Sequence, residues 1–166
     1  MKKLSICIAL CLLVCVFVPP PLVLGQFYFM GNEKVGQNAP DFTLKTVFGG
    51  EKNFNQYREG KKSIIFFWAT WCPHCRQALK ELNLQYEKIV AQDIKIVLVD
   101  LGEDEATVKK YMDANKIPLD VFLDSDSQLA DQFALIGVPT FIFVNEQGVI
   151  KDVQHSLPED LAQIFG

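Results

Sequence analysis

Ser63-Ile64-Ile65-Phe66-Phe67-Trp68-Ala69-Thr70-Trp71-Cys72-Pro73-His74-Cys75 decides how this chain folds. From Ser63 to Trp68 the run is apolar without alternation and is bounded upstream by Gly60-Lys61-Lys62. That pattern predicts a strand buried on both faces. Downstream, Leu79, Leu82, Tyr86, Ile89 and Val90 form one stripe at helical spacing, which predicts a helix from Pro73 to about Val90. Proline suits the first position of a helix, where its missing N–H costs nothing. Cys72 therefore falls where a buried strand ends and a helix begins.

Two cysteines three residues apart can close a small disulfide ring, so Cys72 and Cys75 can cycle between dithiol and disulfide. A helix N-terminus carries partial positive charge and unpaired N–H groups, which favours a thiolate at Cys72. Cys72 is expected to attack a partner disulfide. Cys75, one turn in and more buried, is expected to resolve the mixed disulfide. Pro73 and His74 between them tune the pair: an imidazolium beside the thiolate stabilises it further and makes the disulfide more oxidising. Zinc fits poorly, because a structural site wants four ligands. Downstream of the leader described below, the chain offers two cysteines, His74 between them, and the distant His155. A purely structural bridge this local would constrain little of the unfolded chain. The expected cofactor content is none beyond the redox-active disulfide, and no metal.

Further elements read outward from this junction. Residues 39–44 alternate and suggest an edge strand with Pro40 at its start, followed by a turn at Phe48-Gly49-Gly50. Residues 94–101 form a second buried strand. Residues 103–115 read as a helix, acidic early and basic later, as the helix dipole prefers. A short strand over 121–123 and a short helix over 126–133 follow. Residues 140–144 and 149–153 form a hairpin about Asn145-Glu146-Gln147-Gly148, and 158–165 a closing helix with Pro158 near its first turn. Strands alternating with helices mean an α/β domain with a largely parallel sheet, made mixed by the terminal hairpin. In Gly137-Val138-Pro139-Thr140 a proline enters an apolar strand and withholds a ladder donor. Its bond is either cis, which would bring this backbone beside the dithiol, or trans at a strand edge.

The N-terminus is a separate unit. Met1-Lys2-Lys3 is positive, residues 4–18 are apolar apart from Ser5, and Pro19-Pro20-Pro21 precedes Leu22-Val23-Leu24-Gly25. Residues 1–25 have the layout of a secretory signal, with Val23 and Gly25 small enough for a cleavage site, or of a retained membrane anchor. Residues 26–34 form a linker and 35–166 one domain. Three of the five cysteines, Cys7, Cys11 and Cys15, lie in the leader and read as apolar filler. The expected location is periplasmic or otherwise extracytoplasmic, an oxidising setting. The net charge of −4 and pI of about 5.2 give no electrostatic footprint for nucleic acid.

Trp-Cys-Pro-His-Cys after the apolar strand, with Gly-Val-Pro-Thr downstream, resembles the thioredoxin superfamily over residues 35–166. Val35-Gly36-Gln37-Asn38-Ala39-Pro40-Asp41-Phe42 and the strand and helix over 118–133 resemble its TlpA/ResA-like and peroxiredoxin-like (AhpC/TSA-related) branch. The resemblance implies a three-layer fold: a central mixed sheet flanked by helices, an N-terminal extension, and a strand–helix insertion before a cis-proline loop. It implies Cys72 as attacking and Cys75 as resolving thiol, a cis Pro139, Val138 pairing with a substrate segment, and Trp71 flanking the dithiol. The implied partners are protein thiols and disulfides and a membrane electron donor or acceptor, with the chain a monomer. Two positions depart from the family pattern. The acid that thioredoxins place six residues before the first cysteine is Phe66 here. The glutamate that many TlpA/ResA-like proteins place three after the second cysteine is Ala78. Architecture points to a reductant, for instance in cytochrome c maturation, whereas Pro73-His74 resembles the oxidising DsbA-like proteins. A peroxidase or a non-catalytic adaptor are the alternative functions.

Overall fold

A computed structural model of the chain describes residues 31–165. The leader read over 1–25 and most of the 26–34 linker lie outside the described residues. The elements are β1 (Thr43–Lys45), β2 (Glu51–Asn53), α1 (Phe54–Arg58), β3 (Lys62–Trp68), α2 (Pro73–Val90), β4 (Ile94–Leu101), α3 (Glu105–Ala114), β5 (Val121–Asp124), α4 (Gln128–Gln132), β6 (Thr140–Val144), β7 (Ile150–Gln154) and α5 (Ala162–Phe165).

Five strands form the main sheet in the order β5-β4-β3-β6-β7. β3, β4 and β5 run parallel, while β6 and β7 are antiparallel to their neighbours. Side chains alternate across this sheet. Ile64, Phe66 and Trp68 of β3 pack with Leu79, Leu82 and Ile89 of α2 and with Val108 and Met112 of α3. Ile65 and Phe67 face the other way, toward Phe54 of α1 and toward Leu129 and Phe133 at α4. Helices thus cover both faces, which is why β3 reads as an unbroken apolar run. The strand–helix insertion supplies β5, the edge strand beside β4, and α4 beneath it. β1, β2 and α1 form the N-terminal extension. Thr46, just after β1, bridges to Phe122 of β5.

Several boundaries differ from the sequence expectation, each for a local reason. The first strand is Thr43–Lys45 rather than 39–44. Ala39 N–H is taken by Gly148 O at 2.8 Å. Asp41 Oδ1 accepts from the backbone N–H groups of Phe42 and Asn55, which turns the chain there. That strand pairs with β2, which carried no recognisable pattern. α3 starts at Glu105 because Asp104 caps it, accepting Thr107 N–H at 2.7 Å. No basic residue stands in its last turn. α4 starts at Gln128 because the Asp124 carboxylate accepts the N–H groups of Gln128 and Leu129. The closing helix is shorter than 158–165. Asp160 Oδ1 accepts Ala162 N–H at 2.9 Å, so the helix begins after Pro158. Val90 leaves the buried stripe of α2 and is exposed.

A buried arginine ties the extension to the hairpin. The Arg58 guanidinium donates to the carbonyls of Lys61, Asn145 and Glu146 at 2.7 to 3.0 Å. Gly148 lies against it: a Cβ there would sit 3.3 Å from the guanidinium nitrogen, and its φ is +85°. The turn 145–148 therefore needs glycine for both space and conformation.

Candidate active site

β3 ends at Trp68, Ala69-Thr70-Trp71 turns the chain, and α2 begins at Pro73 with Cys72 as its N-cap. Cys72 has extended φ and ψ, and its Sγ accepts the N–H of Cys75 at 3.2 Å. A side chain in this position satisfies one of the unpaired donors of the first turn. Both cysteines are free thiols. Cys72 is 5% exposed and Cys75 is 0% exposed, so of the two only Cys72 has any face toward solvent.

Burial, foremost, and the hydrogen bond with Cys72 push the Cys75 thiol up to about 12. The backbone of Ala69 acts in the opposite sense but does not offset them. Cys75 is thus a thiol at any ordinary pH.

The Val138–Pro139 bond is cis. The Val138 carbonyl stands 3.7 Å from Cys72 Sγ, so the loop over 137–140 is in contact with the dithiol. The dithiol and that loop thus meet at one site, as the resemblance implied. Trp71 beside them is 66% exposed and Ile136 86% exposed, an unusual display for large apolar side chains. His74 is exposed at the first turn of α2. A shallow depression between His74 and the 136–139 loop is completed by His155, just after β7.

The two departures noted in the sequence are apolar in the structure too. Phe66 is fully buried and stacks on Phe141, with ring centroids 4.3 Å apart. Ala78 is buried on the same face of the sheet as both cysteines. No carboxylate reaches Cys75 from β3 or α2.

Three side chains at this end of the sheet escaped the sequence reading. Asp100 is the register partner of Trp68 across β3 and β4. It is 0% exposed, and neither carboxyl oxygen has a donor partner. Burial, and next the carboxyl of Glu103 beside it, push Asp100 up to about 8. A protonated Asp100 can donate to Glu103, which two carboxylates could not do. Glu103 in turn accepts from both the N–H and the Oγ1–H of Thr70, the latter at 2.6 Å. The turn leading into Cys72 is therefore fastened from the loop that follows β4. The available signal was an acid at the end of the apolar run over residues 96–99. The third is His155. Its Nδ1 lies 2.8 Å from the Pro139 carbonyl, a contact created only when β7 pairs with β6.

The AhpC/TSA family model matches residues 35–153. Thiol-disulfide oxidoreductase ResA of Bacillus subtilis is 30% identical over 136 residues, covering 80% of this chain and 75% of that protein. Thioredoxin-like protein YneN of the same organism is 35% identical over 121 residues, covering 71% of this chain and 69% of that protein. Among solved structures, StoA from Bacillus subtilis superimposes with a TM-score of 0.62 at 28% identity, covering 75% of this chain and 93% of StoA.

Proposed function

The chain belongs to the AhpC/TSA family, with a thioredoxin-like α/β fold, and on that premise we propose that its thiol-disulfide oxidoreductase activity is carried by Cys72 and Cys75. Cys72, the more exposed thiol and the N-cap of α2, attacks a disulfide of the partner protein. A mixed disulfide forms and one partner sulfur leaves. Cys75 then loses its proton and attacks Cys72 Sγ, closing the Cys72–Cys75 disulfide and releasing the second partner sulfur. The single observation that supports this most is the placement of Cys72 Sγ against the Val138 carbonyl, where a partner segment lying on the loop meets the thiol. Trp71, Val138 and Pro139 form the surface for that segment. The couple needs no cofactor beyond its own disulfide.

The finer reading is an extracytoplasmic protein that exchanges electrons with exported protein thiols. It is exported or anchored by its leader, and a membrane donor keeps it reduced. ResA of Bacillus subtilis, a thiol-disulfide oxidoreductase by name, supports thiol–disulfide exchange by likeness. His74 favours a second reading, an oxidant, because Pro73-His74 resembles the dipeptide of the oxidising DsbA-like proteins. The reduction potential of the purified protein tests the tuning role of His74. The expected value lies above about −230 mV, between glutaredoxin-like and DsbA-like couples. A value at or below about −270 mV, the thioredoxin level, contradicts it.

A further inference from the structure

The reaction proposed above leaves a proton unassigned. Attack by a Cys72 thiolate puts an electron pair on a partner sulfur, and that sulfur leaves well only if it is acidic or receives a proton. The two family-acid positions, on β3 and α2, offer no donor for it. Phe66 and Ala78 are apolar, and Cys75 keeps its own proton until the second step. The depression on the loop whose Val138 carbonyl contacts Cys72 is lined by His74, Ile136, Gly137, Val138, Pro139 and His155 and contains no carboxyl.

His155 is set up differently from His74. The Pro139 carbonyl, 2.8 Å from His155 Nδ1, can only accept, so Nδ1 carries a hydrogen. Thr140 Oγ1 donates to the Gly137 carbonyl at 2.7 Å, which leaves its lone pairs toward the same Nδ1 at 3.3 Å. The ring is thus held by the loop that contacts Cys72. Its exchangeable site is Nε2, which has no hydrogen-bond partner among the described residues. A ring with one nitrogen committed to backbone and the other free is oriented for proton transfer at the free one.

We propose that His155 is a catalytic proton donor to the partner's leaving sulfur, acting from Nε2 while Nδ1 holds it to the Pro139 carbonyl. The step balances. The Cys72 thiolate forms the new S–S bond, the partner S–S bond breaks, and the electron pair passes to the leaving sulfur. With Nδ1–H already held by the Pro139 carbonyl, the donor is the imidazolium form of the ring: its Nε2 proton converts that sulfur to a thiol and leaves His155 neutral, with hydrogen on Nδ1 alone. In the second step Cys75 attacks Cys72 Sγ, the Cys72–partner S–S bond breaks, and the proton lost by Cys75 passes to the departing second partner sulfur. The net reaction thus converts one partner disulfide to two thiols at the expense of the Cys72–Cys75 dithiol. The inference rests on the dithiol reading of the preceding subsection.

The test compares single-turnover reduction of an alkyl disulfide, hydroxyethyl disulfide, with that of an aryl nitrobenzoate disulfide, using the reduced full chain. The aryl thiol is acidic and leaves without a proton. In His155→Asn the amide nitrogen reproduces the Nδ1 donation and removes Nε2. The alkyl-to-aryl rate ratio is expected to fall about ten-fold or more, the lower end of general acid catalysis. An unchanged ratio overturns the proposal, and so does an equal loss on both substrates, which would mean positioning alone. His155→Gln repeats the comparison should the asparagine variant not fold, with the same two outcomes. Failure of the underlying reading looks different: the wild-type protein would reduce neither disulfide faster than Cys72→Ser does.

Discussion

Cys75 donates its backbone N–H to the Sγ of Cys72 at 3.2 Å, while its own thiol lies fully buried behind. The two sulfurs of one short motif are thereby made unlike. One caps a helix and keeps a narrow edge toward solvent, and the other is closed off in the core with its thiol pushed up to about 12.

Alkylation should read this difference directly. Iodoacetamide is expected to modify Cys72 and to leave Cys75 untouched between about pH 7 and pH 9, since only a thiolate reacts. Peptide mapping checks it. Comparable labelling of both cysteines in the native protein would contradict the burial and the raised pKa of Cys75.

Asp100 supplies a pH dependence of known sign. Its pKa in the folded protein, about 8, lies above the ordinary 3.8, so the folded state holds this proton more tightly. Its contribution to stability is fully present below the unfolded value and is lost as pH rises through about 8. Asp100→Asn cannot ionise and avoids that loss. The melting temperature of the variant relative to wild type should therefore climb from about pH 4 to about pH 8.5, by several degrees in all. A difference independent of pH would mean that Asp100 is not the buried acid described here.

Phe66 tests what replaced the family acid. Its stack on Phe141 lies on the α2 face of the sheet, in the same core cluster as both cysteines. Phe66→Ala is expected to destabilise the protein by about 3–5 kcal/mol, the usual range for a buried phenylalanine. Urea denaturation measures it. A loss under about 1 kcal/mol would mean the site collapses around the gap and the stack holds little.

Much of this arrangement was legible in the sequence where periodicity is strong. The helix Pro73–Val90 and the strands Ile94–Leu101 and Thr140–Val144 fall where the apolar pattern put them. The dithiol was legible because this cysteine spacing has few physical explanations; the proline at 139 by itself left cis and trans open, and the cis bond was implied by the family resemblance. The short helix Phe54–Arg58 was not, since five residues show no helical repeat. The strand expected over 39–44 shifted because Asp41 spends its carboxylate on turns, which apolar alternation does not reveal. Arg58, Glu103 and His155 act through partners remote in the chain. Arg58 reaches Glu146, and His155 reaches Pro139, only once the hairpin has folded. Residue type at those positions was visible, but the contact that gives each its role was not.

Trapping of mixed disulfides tests the central claim most directly. Cys75→Ser leaves the attacking thiol and removes the resolving one, so it is expected to accumulate partner proteins joined through Cys72. Cys72→Ser is expected to accumulate none, because its remaining thiol is buried. Non-reducing gels followed by mass spectrometry of the linked peptides make the comparison in the native host. Adducts in Cys75→Ser alone are the predicted result, and equal trapping by the two variants would contradict the assignment of roles to Cys72 and Cys75.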